Sequence, residues 1–290
     1  MYQFIILLKS EITDVSGRMK EDRYNSNILI ESIGEEGQSK LKAAKVLVIG
    51  AGGLGSPALY YLTAAGVGTI GIIDDDTVNM TNLQRQILHF TNDLGLRKIV
   101  SAREKLIALN PDVKIVLYNC RFTENNAEAI INGALEGDPT SELDSENGLL
   151  TDAVCNSLGG GYDFVVDCCD NYVTKLLIND VCVKMKKPYS HAAVVSMRGE
   201  VMTYVPGTAC YRCVFETPST DDVLSTSVQA GVLGSVAGII GSMQATEAIK
   251  YLIGMNDLIT NRMLIADAQK MIFFSLKVKK RSSCICDVWK

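Results

Sequence analysis

Histidine is nearly absent: the chain of 290 residues holds two, His89 and His191. That scarcity suits a chemistry needing little side-chain proton transfer, and each histidine is read as a local hydrogen-bonding or core residue. An excess of positive charge is missing too. Lys and Arg number 28 against 33 Asp and Glu, a net charge of −5, which gives no electrostatic reason to bind nucleic acid or an acidic membrane. The one basic cluster, KVKKR at 277–281, is short and reads as a solvated terminal face. No apolar run is long enough to span a bilayer. The opening YQFIILL falls far short, with no basic region before it and no small-residue cleavage site after it. A first strand or ordered extension is expected there, and a cytoplasmic location. Without a secretory leader, the nine cysteines are read as reduced thiols, core residues or metal ligands.

What is present describes a globular α/β protein. Apolar residues make up 47% and charged residues 21%, and the length can bury a substantial core. No internal repeat occurs. Residues 20–44 read as a partly helical lead-in with Ile28, Leu29 and Ile33 on one side. Strands and helices then alternate: a strand at 46–49, a helix from Ser56, a strand at 69–73, a helix near 98–109 stopped by Asn110-Pro111, and a third strand in VKIVLYNC. A helix near 125–132 and a fourth strand in DFVVDCCDN follow. This alternation predicts a Rossmann-like, doubly wound parallel sheet with ligands at the strands' C-terminal ends. A turn-rich acidic stretch at 133–161 reads as an inserted loop. A hairpin around Arg198-Gly199, a small-residue helix at 228–253 and strands in RMLIADAQKMIFFSLKV predict an antiparallel continuation.

The motif KVLVIGAGGLGSPALYYL at 45–62 carries Gly50, Gly52 and Gly55 in G-x-G-x-x-G spacing between a strand and a helix. Such glycines let backbone approach a phosphate at the positive end of the helix. GTIGIIDDD, about 20 residues on, ends a second strand in Asp74 and Asp76, as ribose recognition requires. A nicotinamide enzyme would read the same to this point. The next segment decides otherwise: DDTVNMTNLQRQILHF supplies Asn82, Arg85 and Gln86, Lys98 opens the following helix, and Asp170 and Asn171 close the fourth strand. A site that cleaves ATP must grip a β,γ-diphosphate with cations and place a metal with a carboxylate. Arg85 and Lys98 are suitable cations, Asp76 and Asp170 suitable acids; an NAD enzyme would leave the cations without a purpose.

Cys210-Tyr-Arg-Cys213 and Cys284-Ile-Cys286 are the closely spaced cysteine pairs with one or two residues between. Together they suit tetrahedral structural zinc, tying the tail to the body; free thiols or a redox pair are the alternatives. Cys120, Cys155, Cys168, Cys169 and Cys182 read as ordinary buried thiols.

VIGAGGLGS, DDDTVNMTNLQRQ, GLRK, CDN, CYRC and QAGVLGSVAGIIGSMQATEAIK together resemble the ThiF/MoeB/HesA branch of the ubiquitin-activating superfamily, from about Arg23 to Cys286. The resemblance implies one adenylation domain over 1–290 with an N-terminal lead-in at 1–44, a mixed sheet of about eight strands, and a homodimer. The implied reaction adenylates the C-terminal Gly-Gly carboxylate of a small ubiquitin-like sulfur-carrier protein, using ATP and Mg2+. It also implies roles: Gly53 against the ATP phosphates, Asp74 on the ribose, Asn82, Arg85 and Lys98 on the phosphates, and Asp170 on magnesium. Arg85, Lys98 and Asp170 are thus the candidate catalytic residues. Zinc on Cys210, Cys213, Cys284 and Cys286 fits, although relatives usually have C-x-x-C as the second pair.

Two positions depart from the pattern. Ser227 stands where thiamine-branch relatives carry a cysteine that bonds the activated carrier, and no cysteine lies between Cys213 and Cys284. A serine hydroxyl cannot form an acyl persulfide or disulfide, so the reaction is expected to stop at the acyl-adenylate. Sulfur delivery then falls to a separate sulfurtransferase, since the sequence ends at Lys290. Ser26 replaces an arginine that in relatives reaches the γ-phosphate of the neighbouring subunit, and Arg23 or another basic residue is expected to compensate. Two alternatives remain: adenylation of a short peptide C-terminus, and an ATP-binding scaffold without turnover.

Overall fold

The computed structural model describes residues 23–133, 159–215 and 231–289. The apolar opening, most of the expected insertion, Cys155 and Ser227 lie outside them. One eight-stranded sheet runs in the order β3-β2-β1-β4-β5-β6-β7-β8. Its strands are β1 (Lys45–Ile49), β2 (Thr69–Ile73), β3 (Lys114–Tyr118), β4 (Phe164–Asp167), β5 (Tyr189–Val195), β6 (Arg198–Tyr204), β7 (Arg262–Asp267) and β8 (Ile272–Lys277). The pairs from β3 through β5 are parallel, with Val48 opposite both Ile72 and Val166; those from β5 to β8 are antiparallel.

Strand alternation explains the layers. Val46, Val48, Ile70, Ile72, Phe164 and Val166 point into one core, beneath α2 (Gly34–Ala43), α3 (Gly55–Ala64), α4 (Lys98–Leu109) and α7 (Gly234–Ile253). Leu47, Ile49, Ile73, Val116 and Val165 point to the other side, against α5 (Ala127–Ile131) and α6 (Tyr172–Lys184). Each fully buried aliphatic side chain contributes about 1.5–3 kcal/mol, so both faces of the parallel half are strongly held. No helix among the described residues is long and apolar enough to cross a membrane.

The described part of the lead-in, from residue 23, holds two helices, α1 (Asn25–Ile28) and α2; Ile33 packs on the core, but Leu29 is exposed rather than sharing its side. The helix expected over 228–253 begins at Gly234. Gly231 takes φ +68°, Val232 bridges Ser196, and Leu233 is extended, so backbone pairing occupies the residues just before it. Because β2 lies on one side of β1 and β4 on the other, the chain reverses its winding at β1. The crevice at the C-terminal ends of these strands is where such sheets bind ligands.

Candidate nucleotide site and cysteine cluster

Four strand ends meet at that crevice: β1 delivers the glycine turn, β2 Asp74, β3 Asn119, and β4 the segment 168–171. The glycines divide into two kinds. Gly50 has φ +100°, and a Cβ there would stand 2.7 Å from Cys168 O; one on Gly55 would collide with Gly50 O. These two shape the turn. On Gly52 and Gly53, by contrast, a Cβ would reach no atom closer than 3.5 Å, and its neighbours are Gln86 Nε2 at Gly52 and Arg85 Cγ at Gly53. Neither Gly52 nor Gly53 gives its N–H to an acceptor among the described residues. Two open backbone donors at the start of a helix form an anion cradle that side chains at those positions would fill.

The polar groups gather around that cradle. Asp74 Oδ2 accepts from the N–H of Ala51 at 2.8 Å and Oδ1 from that of Asp76 at 2.9 Å. Burial raises the Asp74 pKa, against the opposing pull of Lys98 and these two N–H groups. Lys98 is buried, its Nζ 2.8 Å from Asp76 Oδ2 and 3.9 Å from Asp74 Oδ1. Arg85 is held from behind, donating to Thr81 O at 3.2 Å and Asn82 Oδ1 at 3.1 Å. Gln86 is 5% exposed, yet its Oε1 has no partner among the described residues. A buried amide oxygen left unpaired costs about 1–3 kcal/mol, a deficit that a bound ligand or water relieves.

The remaining candidates lie on the β4 rim. Asp170 is exposed and accepts no hydrogen bond among the described residues, so its carboxylate is open to a cation. Asn171 is differently engaged: its Oδ1 caps α6, accepting from the Thr174 N–H at 2.9 Å. The structure thus brings Gly52, Gly53, Asp74, Asp76, Asn82, Arg85, Gln86 and Lys98 together around one turn. Asp170 stands on the neighbouring strand end, where residues 168–169 touch Gly50. Acids, cations and open N–H groups in this arrangement fit a triphosphate and its magnesium: Arg85, Lys98 and the turn for the phosphates, Asp170 for the metal.

Sequence reasoning missed the support beneath Asp170. Asp167 is fully buried and receives Lys175 Nζ at 3.1 Å, His191 Nδ1 at 3.0 Å and the Cys169 thiol at 2.8 Å. Burial raises its pKa, but the Lys175 ammonium and His191 prevail and hold the carboxyl at about 2. Cys169 is half-buried, and its thiol donates to Asp167, a contact that the expectation of an ordinary buried thiol did not include. Cys168 and Cys182 are buried, and Cys120 is half-buried. Gln244 of α7 donates to Asp167 O at 2.7 Å and Ser190 O at 3.1 Å, stapling the helix to the strand ends. Arg23, a candidate with other basic residues to compensate for Ser26 at the neighbouring subunit's nucleotide, is exposed and donates to Leu109 O at 2.8 Å, and Ser26 is exposed on α1.

The sulfur atoms of Cys210, Cys213, Cys284 and Cys286 lie within 4.8 Å of one another, with Cys210–Cys284 and Cys213–Cys286 both at 3.5 Å. Tetrahedral zinc at a Zn–S distance of about 2.3 Å requires sulfurs about 3.8 Å apart, so the cluster fits despite its C-x-C pair. Burial, then the hydrogen bond with Cys213, pushes the Cys286 thiol up to about 12, whereas at Cys213 burial is outweighed by hydrogen bonds from the Arg281 and Cys210 backbone groups, which lower the pKa.

Comparison with known proteins places these features in context. The family model described as "ThiF family" matches residues 24–288. Curated relatives named "Adenylyltransferase and sulfurtransferase MOCS3" include that of Culex quinquefasciatus, 37% identical over 265 residues, and that of Aedes aegypti, 38% identical over 264. The matches cover 91% and 90% of this chain and 54% of each relative, so the chain spans about half the length of the curated relatives it matches. Among solved structures, E. coli MccB with ATP superposes with a TM-score of 0.71 at 22% identity, covering 91% of this chain and 74% of that one. The structure described as SeMet PaaA gives 0.66 at 19%, covering 95% and 78%. Both share the fold.

Proposed function

The chain belongs to the ThiF family, and on that premise we propose that it is an ATP-dependent adenylyltransferase acting on the C-terminal Gly-Gly carboxylate of a small ubiquitin-like sulfur-carrier protein. The observation that carries the reading is the open pair of N–H groups at Gly52 and Gly53, flanked by Arg85, Gln86 and the Lys98–Asp76–Asp74 cluster. A dinucleotide needs the turn and an acid; the added cations match the charge of a triphosphate.

In the proposed reaction a carboxylate oxygen of the carrier attacks the α-phosphorus, the bond to the β-phosphate bridging oxygen breaks, and pyrophosphate leaves. No proton need be removed, because a C-terminal carboxyl with a pKa of about 3.5 is ionised at neutral pH. The site's work is therefore positioning and charge stabilisation. Asp74 orients the ribose, while Arg85 and Lys98 stabilise charge spreading over the phosphates. Magnesium on Asp170 would supply further charge neutralisation. With Ser227 at the position of the carrier-bonding cysteine, the reaction ends at the acyl-adenylate and a separate sulfurtransferase completes the sequence. The four cysteines hold structural zinc, and the protein works as a cytoplasmic homodimer.

ATP–pyrophosphate exchange tests this reading with three substrates: a Gly-Gly-ended carrier, the same carrier lacking its last two residues, and a short peptide. Exchange with the intact carrier alone is the expected result. Exchange with the peptide alone transfers the activity to peptide termini; tight ATP binding without exchange identifies a non-catalytic nucleotide-binding protein.

A further inference from the structure

One residue of the glycine turn is gripped from both sides. The N–H of Ala51 donates to Asp74 Oδ2 at 2.8 Å, and its carbonyl oxygen lies 2.9 Å from His89 Nε2. His89 is 3% exposed, reaches across 38 residues of sequence, and belongs to no role assigned so far. A carbonyl oxygen only accepts, so Nε2 must carry the proton. Burial lowers the His89 pKa, which favours the neutral ring with its single hydrogen on Nε2. The other nitrogen, Nδ1, lies 2.8 Å from Ser101 Oγ, whose single proton goes either to that nitrogen or to Asp93 Oδ2.

Ser101 is itself fixed. Its Oγ lies 2.9 Å from Asp93 Oδ2 and 3.2 Å from Lys105 Nζ, and Lys105 meets Asp93 Oδ1 at 2.6 Å. Asp93 Oδ2 also accepts the Phe90 N–H at 2.7 Å, one residue after the histidine. Ser101 and Lys105 both lie on α4, so that helix holds the ring in place from the side opposite the turn.

The consequence lies in the next peptide unit. No cis bond occurs among the described residues, and in a trans peptide the C=O and the following N–H point in opposite directions. By drawing the Ala51 carbonyl toward itself, His89 turns the Gly52 N–H the opposite way, and that N–H meets no acceptor among the described residues. We propose that His89 is a positioning residue for phosphate binding: its Nε2–H, braced by Ser101, Asp93 and Lys105, holds the Ala51–Gly52 peptide in the orientation that presents the Gly52 N–H to the nucleotide. The role rests on the ATP reading given above and deepens it. His89 itself touches no substrate.

Calorimetric titration with MgATP and with adenosine separates this role from a general effect on folding. His89→Leu frees the Ala51 carbonyl to rotate, while His89→Gln keeps an N–H donor at similar reach. Losing one charge-assisted backbone contact predicts ATP binding about tenfold weaker in the leucine variant, with adenosine binding unchanged and most of the loss restored by glutamine. Equal weakening for ATP and adenosine, no weakening, or no rescue by glutamine overturns the proposal. Should the leucine variant not fold, the wild-type protein decides by NMR: the Gly52 amide must shift with ATP and stay put with adenosine. Failure of the wild-type chain to bind ATP removes the nucleotide reading and the proposal with it. A wild-type chain that binds ATP beside an equally competent leucine variant removes only the proposal.

Discussion

Lys175 places its ammonium nitrogen 3.1 Å from Asp167 Oδ2, with the two side chains 6% and 0% exposed. Asp167 ends β4, three residues before Asp170, and Lys175 on α6 also donates to Ala192 O at 2.6 Å, tying that helix to β4 and β5. Breaking a buried pair from one side leaves a charge without compensation, at a cost of about 3–5 kcal/mol. Lys175→Met is therefore expected to shift the urea midpoint sharply downward, measured by circular dichroism. A midpoint unchanged from wild type contradicts the buried pair.

The same pair sets an acid limit. The Asp167 carboxyl is depressed from 3.8 to about 2 in the folded state. A depressed carboxylate contributes stability that is present above its unfolded pKa and lost as pH falls through the folded value. Its share, about 2 kcal/mol, should disappear as pH falls from about 4 to about 2. Urea titrations across that window should show a shallower pH slope for the double variant Asp167→Asn/Lys175→Met than for the wild type.

Gly52→Ala and Gly55→Ala make opposite predictions. A methyl at 55 meets Gly50 O within van der Waals distance, so overpacking of about 1–3 kcal/mol or more lowers the thermal midpoint. At 52 the methyl meets only ordinary contacts and takes up the cradle, so the protein folds normally and loses ATP affinity. Thermal melts and ATP titrations on both variants provide the check.

The glycine turn, the acids after β2 and the cations Arg85 and Lys98 were legible because each sits within a short local pattern around one strand end. The two cysteine pairs were also legible, since each pair is local and only their meeting is long-range. His89 on Ala51 O and Lys175 on Asp167 were not. Their partners are set by how α4 and α6 pack, and a single histidine in a turn or lysine in a helix carries no sign of its contact. Asn171 carries a second role that its place after a strand did not reveal: its Oδ1 caps α6.

Lys98 is the residue whose loss should separate chemistry from folding. Its amine pairs at 2.8 Å with Asp76, whose side chain is 62% exposed, and lies 3.9 Å from the buried Asp74, which two backbone N–H groups still hold once the lysine is gone. Lys98→Met is expected to stay folded and to lower pyrophosphate exchange by a factor of about 100 or more, as losing a preorganised charge does. Exchange at the wild-type rate rules out a phosphate contact.

Metal removal tests the cysteine cluster. A bound zinc would tie the two cysteine pairs, whose sulfurs lie within 4.8 Å of one another, so chelation should lower the thermal midpoint and release zinc near one equivalent per chain. Cys284→Ser should reproduce the shift. A chelated protein that melts like the untreated one argues for free thiols.

The most direct test of the central claim follows the label of [α-32P]ATP on a Gly-Gly-ended carrier under acid quench, with intact-mass measurement of the carrier. An adenylating site predicts a carrier heavier by one AMP, labelled at its C-terminal carboxyl and absent when Asp170 is changed to alanine. An unlabelled carrier, in protein that demonstrably binds MgATP, contradicts the account.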